Sequence, residues 1–135
     1  MPPSTVLIAA QSIDEGLDGA RVAHAIGRGL VAANPALDAS PCPIDELPAD
    51  LDVRMRRARA VVIAAERLDH ETLLRRDCAC EVATRARQTG VPCYAIAAGV
   101  GLDLFEARIL DLQVVLEARG ERALASAGRR LAGIV

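Results

Sequence analysis

The chain has 135 residues and a mass of 14.2 kDa, with 52% apolar residues, 25% charged residues and a net charge of −2. That balance fits one folded domain with a sizeable core and excludes disorder over most of the length. All 16 basic residues are arginine, and Tyr94 and Phe105 are the only aromatics, which excludes a lysine-dependent phosphate loop and a base-stacking platform.

Taken in chain order, Thr5 to Ala10 is a short β-branched apolar run that predicts a strand buried on both faces. From Asp18 to Ala33 the period changes. Val22, Ala25, Ile26, Gly29, Leu30 and Ala33 recur at three and four, so an amphipathic helix is predicted, with Asp18 as N-cap and Asn34-Pro35 as its stop. Leu37 to Ile44 carries Pro41 and Pro43 and reads as an edge strand. Pro48 to Ala58 reads as a short charged helix or loop, with a basic run of Arg54, Arg56, Arg57 and Arg59 beside Asp50 and Asp52.

Ala60 to Ala65 is a second buried strand. Asp69 is expected to cap one long helix ending near Thr89, with Gly90 at its C′ position and a core stripe of Leu74, Cys78, Val82 and Ala86. Val91 to Ala98 is a third strand, closed by Gly99-Val100-Gly101. A short helix from Asp103 to Ile109, a strand from Leu112 to Leu116 and a helix from Gly120 to Gly133 complete the chain.

Strands alternating with helices, the central ones continuously apolar, predict a doubly wound, three-layer α/β domain with a mainly parallel, Rossmann-like sheet. Ligands on such sheets bind at the carboxyl ends of the strands. The segments to watch are therefore Gln11 to Leu17, Asp45 to Leu47, Glu66 to Asp69 and Gly99 to Asp103.

No apolar stretch approaches the length of a bilayer span, and the N-terminus carries no positively charged leader. Four cysteines in that setting read as reduced thiols, so a cytoplasmic protein without membrane or nucleic-acid partners is expected. Cys78 and Cys80 lie two apart on a predicted helix and point away from each other, which excludes a shared metal and favours core thiols. No metal or cofactor site is expected.

The densest titratable cluster is Glu66, Arg67, Asp69, His70 and Glu71. Two carboxylates and an imidazole at a strand-to-helix junction suit proton transfer or metal binding. Asp69 as N-cap, with Glu71 in the first turn, is the structural alternative. Gly99-Val100-Gly101 before a helix could offer N–H groups to an anion, or form a plain turn.

The run from Ile8 to Leu17, followed by Val22-Ala23, Ala25-Ile26 and Gly29-Leu30, resembles the opening of bacterial glycerate kinases, a strand and loop of the form I-A-P-D-S-F-K-x-S-L followed by V-A-x-A-I-x-x-G-L. Ile63 to Asp69 with Thr72-Leu73 is similar to their I-T-G-E-G-R-L-D-x-Q-T/S-L motif, one residue short. The resemblance implies the family's Rossmann-like domain over residues 1–135, with residues 44–58 as a reduced connector where a second domain would be inserted. It matches the family's first-loop acid with Gln11 and its lysine with Asp14.

That charge reversal implies loss of ATP-dependent phosphorylation. The pocket implied by the resemblance for a small anion or hydroxy acid is lined by Ser12, Asp14, Asp45, Glu66 and Asp69, with Gly99 and Gly101 at its floor. A structural or regulatory homodimer, and an active kinase-type phosphotransferase or a metal-dependent enzyme of altered chemistry using Glu66, Asp69 and His70 on a bound metal, are the alternatives. Self-association is expected on the face that the missing domain would have covered.

Overall fold

The computed structural model describes residues 3–14 and 16–135, and among these residues there are five strands and six helices. They are β1 (Thr5–Ala10), α1 (Gly19–Ala33), β2 (Asp38–Pro43), α2 (Leu51–Arg56), β3 (Ala60–Asp69), α3 (His70–Arg75), α4 (Cys78–Thr89), β4 (Cys93–Gly101), α5 (Leu104–Ile109), β5 (Leu112–Glu117) and α6 (Glu121–Ala132). The strands make one all-parallel sheet in the order β2-β1-β3-β4-β5. This is the doubly wound α/β architecture that the alternating pattern predicts, and its winding reverses between β1 and β3.

Strand alternation divides the apolar residues into two cores, one on each side of the sheet. Val6, Ile8, Val62, Ala64 and Ile96 face α1 and α6, while Leu7, Ala9, Val61, Ile63 and Ala95 face α2 and α4. Each fully buried Leu or Ile stabilises the fold by roughly 1.5–3 kcal/mol relative to exposure. Helices α1 and α6 touch backbone to backbone. A Cβ on Gly29 would lie 1.8 Å from the Ala125 carbonyl oxygen, and one on Gly128 would lie 2.2 Å from that of Ile26. Pro41 and Pro43 pair opposite Ile8 and Ala10 in edge strand β2, where the loss of outward donors costs nothing.

Asp18 caps α1 as the sequence indicates, accepting from the Arg21 N–H at 2.9 Å. Two expectations fail in the middle of the chain. The predicted loop Glu66 to Asp69 is strand: β3 continues to Asp69, and Arg67, Leu68 and Asp69 pair with Gly99, Val100 and Gly101 of an equally extended β4. Leu68 supplies the reason, since it is fully buried and anchors the extension in the α4-side core. Gly99 to Gly101 are strand too and form no anion-binding turn.

The single helix expected from Asp69 to Thr89 is two helices. Arg76 adopts a left-handed conformation (φ 53°) that closes α3, and Asp77 precedes α4. The break rotates the core stripe, so Leu74 is 69% exposed and the buried residues of α4 are Ala79, Cys80, Val82, Ala83 and Ala86. Cys80 is therefore the core thiol of the pair and Cys78 is half-buried. No helix among the described residues is long and apolar enough to cross a membrane.

Candidate functional site

The carboxyl ends of β1, β2 and β3 bring four of the candidate residues into two pairs. Ser12, just past β1, donates from its backbone N–H (3.0 Å) and its hydroxyl (2.7 Å) to the carboxylate of Asp45, just past β2. Asp14 donates its backbone N–H to Glu66 Oε2 at 2.8 Å, which ties the β1–α1 loop to β3. Asp14 takes a left-handed conformation (φ 59°) to do so, one that Asp tolerates better than most residues.

The residue that joins these groups was not singled out from the sequence. Arg119, just past β5, donates one guanidinium nitrogen to Asp14 Oδ1 and another to Glu66 Oε1, the latter at 2.8 Å. The two carboxylates hold the Arg119 guanidinium above its usual range, the hydrogen bond to Asp14 contributing most and that to Glu66 next. One cation thus closes the space between β1 and β3, where the winding reverses. Its partners lie far away in sequence, so no local pattern around Arg119 announces it.

Asp69 lies farther out on the β3 extension and serves the backbone. It accepts from the Thr72 N–H at 2.9 Å, while the Thr72 hydroxyl accepts from the Asp69 N–H, a reciprocal cap at the start of α3. That backbone bond first, and then the hydrogen bond from Arg67, hold the Asp69 carboxyl below its usual range. His70 shares a 2.7 Å hydrogen bond with the buried carboxylate of Glu106 on α5. Glu66, Asp69 and His70 therefore turn to three different sets of partners, and the structure does not bring them together as an acid–base or metal centre. Among the described residues no cluster of three acidic, histidine or cysteine side chains is placed to hold a metal ion.

A polar cleft of about 190 Å³ remains beside these groups, bordered by Gln11, Ser12, Asp45, Glu66, Arg67, Thr72, Arg75 and Asp77. Its ionised groups are already engaged: Ser12 on Asp45, Arg119 on Glu66, and Arg75 with Asp77 at 3.1 Å. Gln11 accepts from the Ala79 N–H at 3.2 Å and so occupies the first turn of α4. Gly99 and Gly101 pair with Arg67 and Asp69 in the sheet and do not floor this cleft. Two larger open grooves, of about 400 and 420 Å³, run along the outer face of α1 past His24 and Arg28, away from the strand ends.

No family model matches the chain, and no curated protein matches it. Solved structures do. A diflavin flavoprotein A3 from Nostoc sp. superposes with a TM-score of 0.60 at 13% identity, over 98% of this chain and 94% of that one. A putative pilus assembly-related protein from Burkholderia pseudomallei gives 0.56 at 19% identity, over 98% and 92%. A flavodoxin-like domain from Synechococcus sp. gives 0.51 at 16% identity, over 95% and 96%.

These likenesses overturn the glycerate kinase resemblance and the function drawn from it, including the hydroxy-acid pocket inferred from it. The matching motifs were an apolar strand before a Gly-containing helix and a strand before an Asp-capped helix, and parallel βα units of many families require both. Residues 44–58 run from the end of β2 through α2 toward β3.

In flavodoxin, which has this strand order, flavin mononucleotide lies at the reversal between β1 and β3, and helix N-termini at such strand ends suit phosphates. The residues here do not fit that group. Asp14, Asp45 and Glu66 place three carboxylates at the strand ends, and Arg119 is committed to two of them. The first turn of α1 already has a carboxylate in place, because Asp18 accepts from the Arg21 N–H at 2.9 Å. Tyr94 is buried and donates its hydroxyl to the Ile134 carbonyl, which leaves Phe105 as the one exposed aromatic for a flavin ring. The chain has the flavodoxin-like α/β fold, with Arg119 bridging Asp14 and Glu66 beside the β1–β3 reversal.

Proposed function

We propose that this chain works without flavin and without catalysis, as a rigid recognition domain of flavodoxin-like fold. The observation that carries the reading is Arg119 bridging Asp14 and Glu66 over the β1–β3 reversal. A catalytic site on such a sheet needs an open cleft with groups left to engage substrate. Here the carboxylates at the strand ends bond to the protein's own N–H, hydroxyl and guanidinium groups, and among the described residues no buried side-chain polar atom lacks a partner. Such an edge is built to hold loops still.

Titrating flavin mononucleotide with the purified chain and following flavin fluorescence tests this. The expected result is unquenched fluorescence up to high micromolar protein. Saturable quenching at micromolar protein would reject the proposal.

A further inference from the structure

Among the described residues, five of the seven exposed large apolar side chains lie at one end of the molecule, the other two being Val53 on α2 and Ile134 after α6. Leu74, Leu104 and Phe105 are 69%, 70% and 71% exposed, and Val100 and Ile109 are also exposed. All five belong to the unit formed by the β3–β4 extension, α3 and α5. The hydrogen bond between His70 and Glu106 fastens α3 to α5. Leu74 lies one helical turn beyond His70 and Ile109 one turn beyond Glu106, which places an apolar residue of each helix on the side of that bond. Ile109 and Leu73 also border one groove, which runs along α4 past Cys80, Glu81 and Thr84. A water-soluble monomer gains nothing by ordering such a surface, and apolar patches of this kind mark association sites.

The charges around the patch say what covers it. Arg67 is paired with Asp69 and Arg75 with Asp77. That leaves Glu71 and Asp103 of one sign and Arg76 and Arg108 of the other, all exposed and outside any ion pair of the structure. A strongly acidic or basic partner, or an anionic lipid surface, would call for a rim of one sign. A rim with two charges of each sign complements itself across a two-fold axis, which brings an acid of one copy to an arginine of the other.

We infer that a second copy of this chain docks on the α3–α5 end through Leu74, Leu104, Phe105 and Ile109, making a two-fold dimer with Glu71 facing Arg108 of the other copy. This rests on the recognition-domain reading and names its partner.

Sedimentation velocity of the full chain, from low micromolar to several hundred micromolar, tests the assignment. The expected result is a concentration-dependent shift from monomer to dimer. Phe105→Asp should abolish the shift without lowering the melting temperature, since the side chain is exposed. Arg108→Glu should weaken the dimer by about tenfold in dissociation constant, and adding Glu71→Arg should restore it. That rescue distinguishes the two-fold interface from unspecific stickiness. A wild-type monomer throughout, or a dimer untouched by Phe105→Asp, overturns the inference, and vesicle binding by such a monomer would assign the patch to a membrane instead. A monomer that leaves flavin fluorescence unquenched rejects only this surface, whereas flavin binding rejects the reading beneath it.

Discussion

Arg119 and Asp14 stand 105 residues apart in sequence and meet at the carboxyl edge of the sheet, with Glu66 as the third member of the contact. The arginine ties the β5–α6 connection to the β1–α1 loop across the strands between them. Both side chains are about half exposed, so the contact contributes local order more than global stability. Arg119→Met should therefore leave the melting temperature nearly unchanged while speeding hydrogen exchange at the Asp14 amide, whose acceptor Glu66 would lose the arginine that holds it in place. Exchange measured by NMR checks this, and an unchanged Asp14 rate would show that the arginine does not restrain the loop.

The backbone contact between α1 and α6 gives the sharpest stability prediction. Gly29→Ala would drive a methyl into the Ala125 carbonyl, and neither helix can move without opening the core that both cover. A loss of about 3 kcal/mol or more is expected, at the upper end for overpacking. Gly133→Ala, just past α6, where an added Cβ would meet only the Arg130 carbonyl oxygen at 3.9 Å, should change stability by less than about 0.5 kcal/mol. Urea unfolding of the two variants checks the contrast.

Acid sensitivity follows from Asp69. Its folded-state pKa is depressed, so its contribution is fully present above the unfolded value of about 3.9 and is lost as pH falls through the folded value. Asp69→Ala should cost about 1 kcal/mol at neutral pH through loss of the α3 cap. The gap between wild type and variant should then narrow steadily below about pH 4. Melting curves across that range check the sign, and a gap that widens in acid would contradict it.

The thiols should divide three to one. Burial pushes Cys80 up to about 11 and Cys93 up to about 12, and burial also raises Cys42. At pH 8 a thiol of pKa 11 is only about one part in a thousand thiolate. Cys78 is raised as well, by burial and then by Asp77 and Asp45, but it alone is half-buried rather than buried. Iodoacetamide on the native chain should label Cys78 first and slowly, as read by peptide mass spectrometry.

The strand and helix pattern was legible wherever burial is decided locally. Thr5–Ala10 is continuously apolar, and Val22, Ile26 and Leu30 fall on one helical face, so β1 and α1 could be read directly. The β3 extension was not legible because Glu66, Arg67 and Asp69 are polar and Leu68 alone marks the strand. Its pairing depends on Gly99 to Gly101, some thirty residues on. Similarly, Arg76-Asp77 looks like two surface positions of one helix, and only the left-handed turn at Arg76 reveals two. At the site, Ser12, Asp14 and Asp45 could be found as residues past strand ends, and Glu66 as the first polar residue after the apolar run of β3. Their mutual bonds, and Arg119 above all, depend on how the sheet orders the strands. The family resemblance failed for the converse reason, since its motifs record local geometry that unrelated parallel sheets also use.

Amide-resolved NMR with flavin mononucleotide, and separately with inorganic phosphate, tests the central claim most directly. A strand edge closed by Arg119 predicts unmoved signals at Ser12, Asp14 and Gly19 with either compound at millimolar concentration. Saturable shifts confined to those amides would mean that the edge opens to receive a phosphate, and the account of a flavin-free domain would be wrong.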